Sequence, residues 1–203
     1  MNKIRMIALA ACMAATLDAS AQEQEIRLFS HRGGRMEHDE NTLSAFQASY
    51  DAGYRGFETD IRMTRDGALV ITHDSSLERT TDGTGTVEEK TEAEIRQLAT
   101  KQGNKMMFLD ELLEFLKGKE GLYVEFEMKT KPEALYPEER LHAYCDKLYD
   151  AVMAVKPADA TFVFTSGDYR GLRYLQAKHP GVDLLLITSK PCNDETIDLC
   201  NAM

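Results

Sequence analysis

Scarcity sets the first limits on this 203-residue chain. It has four cysteines, Cys12, Cys145, Cys192 and Cys200, at no spacing that would ligate a metal, so cysteine carries no chemistry here. No apolar run reaches the roughly 18 residues of a membrane-spanning helix; the stretch from Met6 to Leu17 is too short. Basic residues are outnumbered, 24 Lys and Arg against 34 Asp and Glu, for a net charge of -10. That balance disfavours nucleic acid as a partner. A phosphate ester could be held only by positive charge created locally, from a metal or a few placed side chains. Low-complexity runs, internal repeats and linkers are also missing, so the length and the 43% apolar composition support one domain with a real core.

What is present begins with an address. Lys3 and Arg5 precede the apolar stretch, and Ala19-Ser20-Ala21 stands before Gln22, the pattern of a secretory signal with an Ala-x-Ala cleavage site. Leu9-Ala10-Ala11-Cys12 resembles a lipid-attachment site, but the apolar region ahead of it is very short and cleavage after Ala21 is preferred. The expected product is exported, periplasmic or extracellular, with residues 22–203 as its single domain. Cleavage removes Lys3, Arg5 and Asp18, which makes the remainder one unit more acidic, and leaves three cysteines. Three is odd, so at least one thiol lacks an intrachain partner. Cys145, in an expected helix, reads as a buried apolar side chain.

Strand-like runs alternate with helical patterns, which predicts an α/β fold. Strands are expected at Ile26–His31, Gly56–Met63, Ala68–His73, Leu122–Lys129, Thr161–Ser166 and Val182–Thr188. Asn41 is expected to cap a helix running to Ala52, and Gly53 to end it. Thr91 and Glu94 form a capping-box pattern. Pro137 opens a long helix with Leu141, Tyr144, Leu148, Val152 and Val155 on one stripe, and Pro157 ends it. Lys117–Gly121 reads as a helix exit turn and Asp194–Ala202 as a last helix.

Strand alternation puts Glu58 and Asp60 on one face, away from Phe57, Thr59 and Ile61; it likewise groups Glu125, Glu127 and Lys129. Burying such carboxylates costs several kcal/mol each unless something neutralises them. Clustered carboxylates without Cys or His ligand spacing suit a hard cation, Ca²⁺ or Mg²⁺. The plainer alternative is a salt-bridge layer with Arg62 and Lys129. Asp66-Gly67 signals a two-residue hairpin loop; in that register Asp60 pairs with His73 and brings the imidazole to the carboxylates, whereas a three-residue loop shifts everything by one. His31 ends a strand, where barrel active sites form. His38, His142 and His179 are expected on the surface. His31-Arg32, Glu58-x-Asp60, His73-Asp74 and Glu127-x-Lys129 together supply what in-line phosphodiester cleavage requires.

Those residues stand within a longer series of motifs. Ser30-His31-Arg32-Gly33, Glu40-Asn41-Thr42, Ala45-Phe46, Gly53, Glu58-Thr59-Asp60-Ile61, Thr64-Arg65-Asp66-Gly67, His73-Asp74, Leu77 and Arg79-Thr80-Thr81 with Gly83 and Gly85 occur in this order. The series resembles the glycerophosphodiester phosphodiesterase family. The resemblance is dense from Leu28 to Leu98, resumes at Leu109–Leu116 and Val124–Lys129, and loosens from Thr161 to Thr188. It implies a TIM-barrel-like (β/α) barrel that splits a small glycerophosphodiester into glycerol 3-phosphate and an alcohol. Glu58, Asp60 and Glu127 would hold the metal, His31 and His73 would be the acid/base pair, and Arg32 and Lys129 would hold the phosphate. One imidazole would deprotonate the glycerol 2-hydroxyl or a water while the other protonates the leaving alcohol.

The chain departs from the family at Asp39, at Phe108-Leu109 and at Gly167, where proline, Pro-Thr and phenylalanine are usual. The last barrel strands and their tryptophan segment are also missing, and the sequence has no Trp at all; an incomplete C-terminus is the expectation. Two other readings stand beside the first: a phospholipase D-like barrel enzyme on intact lipids, and a non-catalytic binding protein on the same scaffold.

Overall fold

The computed structural model describes residues 28–201. The expected signal segment, with Cys12 and the Ala21 cleavage site, lies outside the described residues. So do Ile26 and Arg27 of the first expected strand and Ala202 of the last expected helix.

Five parallel strands form the sheet in the order β1 (Phe29–His31), β2 (Gly56–Met63), β4 (Tyr123–Met128), β5 (Thr161–Ser166) and β6 (Leu184–Leu186). The sixth, β3 (Leu69–Ile71), runs antiparallel against the far end of β2. Between the strands lie α1 (Leu43–Asp51), α2 (Glu92–Ile95), α3 (Leu109–Leu116), α4 (Glu138–Val155) and α5 (Tyr169–Lys178), with α6 (Asp194–Asn201) last. This strand–helix alternation around a parallel sheet is the predicted α/β barrel-type architecture.

The period of two decides which side chains make the core. Phe57, Ile61 and Met63 of β2, Val124, Phe126 and Met128 of β4, and Phe162 and Phe164 of β5 are all buried in one cluster with Phe46, Leu112, Leu116, Tyr144, Leu148, Leu172 and Leu175 from the helices. Burying each of these large side chains stabilises the fold by about 1.5–3 kcal/mol. The opposite face of the same strands is left for Glu58, Asp60, Glu125, Glu127 and Thr165, in register across the sheet. A second, smaller core of Val70, Leu77, Val87, Ile95, Met106 and Phe108 lies beneath the long excursion between β2 and α3.

Helix starts largely follow the sequence signals. Thr91 accepts from the Glu94 amide and Glu94 reaches back to Thr91, as the capping-box pattern predicts. The first helix differs by one residue: Thr42, not Asn41, is its N-cap, accepting from the Ala45 amide. Asn41 instead takes a left-handed backbone with φ 59° and serves the site. Leu184–Leu186 is shorter than the strand expected there.

Candidate active site

The hairpin expected at Asp66-Gly67 forms, but with the longer loop. Ile61, Arg62 and Met63 pair with Ile71, Val70 and Leu69. The Thr64 amide donates to the Ala68 carbonyl at 2.9 Å, closing a three-residue loop of Arg65, Asp66 and Gly67. The Thr64 and Asp66 side chains explain the choice: the Thr64 hydroxyl donates to Asp66 at 2.7 Å and accepts from the Ala68 amide at 2.8 Å. The register is therefore one residue away from the two-residue reading. Thr72, not His73, faces Asp60, its amide donating to the Asp60 carbonyl at 2.9 Å. Pairing thus does not deliver His73 to the site; it stands two residues beyond β3.

Parallel pairing brings the carboxylates together. Glu58 lies beside His31 of β1, and Asp60 beside Glu127 of β4. One oxygen from each of Glu58, Asp60 and Glu127 falls within a 4.8 Å span. Asp60 is fully buried and Glu58 nearly so. Burial, with the neighbouring Asp60 and Glu127 charges, pushes the Glu58 carboxyl up to about 8. Glu58 Oε1 is buried without a hydrogen-bond partner, and Asp60 Oδ1 is met by the Lys129 ammonium alone, at 3.1 Å. An all-oxygen, strongly anionic donor set with an unsatisfied Glu58 oxygen fits a hard divalent cation, which would relieve both the repulsion and the orphaned lone pair. Glu125, lower on the same face of β4, is also raised by burial but stands outside this cluster.

Cations surround the acids. Arg32 Nε lies 3.3 Å from Asp60, and Lys129 Nζ lies 3.1 Å from Asp60 and 2.6 Å from Glu127. His31 Nε2 sits 3.5 Å from Glu58 with its side chain about half exposed; burial, then the Arg32 charge, lowers its pKa below the usual value. Arg32 takes a left-handed backbone with φ 53°, followed by Gly33 and Gly34, a conformation that costs energy in a residue with a side chain. Its amide donates to Glu58 Oε2 at 3.2 Å. Gly33 cannot be larger, since an added Cβ would come within 3.0 Å of Ala45 and Phe46 of α1. The turn therefore packs against the helix while presenting His31 and Arg32 to the carboxylates.

The profile for the glycerophosphoryl diester phosphodiesterase family matches residues 31–200. The chain belongs to this family. Among its relatives, a glycerophosphodiester phosphodiesterase of Caldanaerobacter subterraneus is 36% identical over 123 residues, 56% of this chain and 50% of that protein. The chain thus spans about half the length of that curated relative, and less of the others. A glycerophosphodiester phosphodiesterase from Agrobacterium tumefaciens has a similar crystal structure, with a TM-score of 0.64 and 27% identity over 79% of this chain and 66% of that one. A phosphodiesterase from Oleispira antarctica, solved with the product sn-glycerol-3-phosphate, shares the fold at a TM-score of 0.75 and 24% identity, covering 87% of this chain and 72% of that one.

In this family member the structure also joins residues that spacing could not connect. Asn41 donates its side-chain amide to Asp60 at 2.9 Å. Asp74 lies 2.6 Å from His73 Nδ1; burial raises its pKa, but hydrogen bonds from Arg79 and His73 outweigh that and hold it down to about 2. Arg79 bonds Asp74 and forks onto Glu40 at 2.8 and 2.9 Å, and Glu40 accepts from Arg32 at 3.2 Å. A chain of ion pairs therefore links the second histidine to the first arginine. Thr165, opposite Glu127, is buried with an unpartnered hydroxyl. Arg62 does not pair with the site's acids; it bonds Glu88 at 2.8 Å. His142 and His179 are not bare surface groups, as they stack on Tyr174 and Tyr149, whereas His38 is exposed. Cys145 is buried in the main core, which pushes its thiol up to about 12.

Proposed function

We propose that the chain is a metal-dependent phosphodiesterase that hydrolyses small glycerophosphodiesters to glycerol 3-phosphate and an alcohol. One observation carries the reading: Glu58, Asp60 and Glu127 converge within 4.8 Å, with His31, Arg32 and Lys129 at their margin. Family membership and the product bound by the Oleispira antarctica neighbour support the same substrate class.

Glu58, Asp60 and Glu127 would hold Ca²⁺ or Mg²⁺. When bound, such an ion supplies Lewis-acid stabilisation of charge developing on phosphoryl oxygens. Arg32 and Lys129, each tethered to Asp60, would grip the phosphate and neutralise the rest of that charge. His31 has a lowered pKa, so it is neutral near pH 7 and able to take a proton from the attacking hydroxyl. An ionised Asp74 can only accept a hydrogen bond, which makes His73 Nδ1 the donor. The imidazole is then turned so that Nε2 is free to exchange a proton with the leaving alcohol. The glycerol 2-hydroxyl, held next to phosphorus within the substrate itself, gains from effective concentration in the attack; that step expels the alcohol and leaves a cyclic glycerol phosphate, and a water adding at phosphorus then opens the ring to glycerol 3-phosphate.

Export follows the amino-terminal pattern and is part of the proposal. Among the described residues no helix is long and apolar enough to cross a membrane.

The test is release of glycerol 3-phosphate from glycerophosphocholine with Mg²⁺, Ca²⁺ or a chelator, beside His31→Ala and Glu58→Ala. Turnover that needs metal and both side chains is expected. A folded, metal-loaded chain that releases nothing would leave only the binding-protein reading. Preference for phospholipid vesicles over the soluble diester would favour the lipase instead.

A further inference from the structure

Arg62 is the third inward side chain of β2, one step beyond Asp60, and its surroundings differ from those of every other cation near the site. It is buried and touches none of the three clustered carboxylates. Its Nε donates to the backbone carbonyl of His73 at 2.9 Å, and its Nη1 reaches the backbone carbonyl of Lys129 at 3.3 Å and Glu88 Oε1 at 2.8 Å. One guanidinium thus clasps two segments that leave different strands: His73 follows β3, and Lys129 follows β4.

Glu88 is anchored in turn. Its Oε1 accepts from the Tyr136 hydroxyl at 3.0 Å, and that hydroxyl accepts from the Met63 amide at 3.1 Å. Its Oε2 accepts from the Ser75 hydroxyl at 2.7 Å. The segment His73-Asp74-Ser75 is consequently fastened at both ends to one buried ion pair, at His73 through the arginine and at Ser75 through the glutamate. Short strand pairing could not do this, because the last β2–β3 backbone bond, Thr72 to Asp60, falls short of His73.

We propose that the Arg62–Glu88 pair is a positioning strut that fixes the backbones of His73 and Lys129 relative to Asp60, so that proton transfer and phosphate grip are set together. The proposal rests on the phosphodiesterase reading for its catalytic consequence. Arg62 and Glu88 touch no substrate and are not catalytic residues. A buried ion pair is poor evidence of stabilisation, since apolar side chains of similar volume often replace it without loss. What apolar side chains cannot do is bond two carbonyls at once. Lysine cannot substitute either, as its single nitrogen lacks the planar fork.

Three variants of the full chain test this: Arg62→Lys, the volume-conserving double variant Arg62→Met with Glu88→Leu, and Ser75→Ala, which removes only one bond to the strut. Each is compared with the parent for its thermal midpoint, for kcat and KM on glycerophosphocholine with saturating Mg²⁺, and for the His73 imidazole resonances, assigned by difference against His73→Gln. A displaced catalytic group costs on the order of tenfold to a hundredfold in rate. Expected is that fall in kcat for the first two variants, with KM rising as the Lys129 segment loosens. Ser75→Ala should lose about threefold. The His73 resonances should shift in all three while the thermal midpoint of the double variant stays near that of the parent.

Unchanged kcat and unmoved His73 resonances in a folded variant overturn the strut. If the parent itself hydrolyses nothing, the phosphodiesterase reading fails separately, and the His73 resonances still decide whether the pair positions that side chain. Ser75→Ala changes a single half-buried hydroxyl, so it keeps the question answerable should both Arg62 variants fail to fold.

Discussion

Strands β2 and β4 follow one rule and end in different environments. Both alternate apolar and acidic residues, and both turn their apolar side chains outward into the same core. Yet β2 is buried at all eight residues, while β4 is buried only at every second one. The difference lies on the inner face. Arg32, Asn41 and Lys129 close over Asp60, and the excursion between β2 and α3 brings Glu88 and the His73 carbonyl onto Arg62. On β4 the inner-face residues Tyr123, Glu125 and Glu127 stay partly exposed. A pattern of alternating residues therefore decides which way carboxylates point, and the loops laid over them decide what their charge costs.

The largest effect should come from setting the two strands' acids against each other. Asp60→Asn removes a charge of the proposed metal cluster that also tethers Arg32 and Lys129, and turnover should fall by about a thousandfold or more. Glu125→Gln, on the half-open strand and outside the cluster, should cost no more than about threefold. Parallel steady-state kinetics on glycerophosphocholine measures both, and comparable losses would erase the distinction drawn between the two strands.

The outer faces should behave alike. Phe57 packs near Phe46 and Phe115, with ring centroids 5.7 and 6.3 Å away, and Phe126 packs near Phe162 and Phe164 at 5.3 and 6.1 Å. Alanine at either position should cost about 3–5 kcal/mol by urea unfolding. A clear gap between the two would mean that the cover on the inner face also stiffens the outer one.

Charge cost is open to a pH experiment. Glu58 in the folded chain keeps its proton up to about 8, against an ordinary 4.5. Between those values the native state binds more protons than the unfolded one, so stability falls as pH rises. The contribution is complete below 4.5 and lost on approaching 8, with a slope of at most about 1.4 kcal/mol per pH unit. In a chelator the thermal midpoint should drop across that range, Glu58→Gln should flatten the slope, and a divalent cation should restore the midpoint near pH 8. An unchanged slope in Glu58→Gln would show that β2's cover imposes no such cost.

Much of this was legible in the sequence because it depends on local periods. Alternation alone gave Glu58 and Asp60 one face and Phe57 and Ile61 the other, and Pro137 marked the start of α4, which begins at Glu138. The α5 helix begins at Asp168, an ordinary N-cap whose side chain accepts from the Arg170 amide, whereas Phe108, an unusual N-cap, begins α3. The hairpin register went astray because Asp66-Gly67 specifies a turn without specifying its length, and the Thr64 hydroxyl settled the length. Asn41 joins Asp60 across 19 residues, Glu88 joins Arg62 across 26 and Glu40 joins Arg79 across 39. No short-range period carries such links.

Strand β5 extends the comparison with the subtlest change. Thr165 lies beside Glu127 on the inner face, fully buried, its hydroxyl without a partner. A buried hydroxyl left unsatisfied costs about 1–3 kcal/mol, so Thr165→Val, which keeps the shape and removes the oxygen, should leave stability unchanged or raise it by about 1 kcal/mol. If the hydroxyl finds its partner only when substrate or metal-bound water arrives, the same variant should lose about three- to tenfold in kcat/KM. Chemical denaturation and kinetics on one preparation separate the possibilities. Gained stability with lost activity would make β5 a fourth functional strand beside β1, β2 and β4, its hydroxyl held unsatisfied for the ligand. Gained stability with full activity would confine the chemistry to β1, β2, β4 and the loops over them.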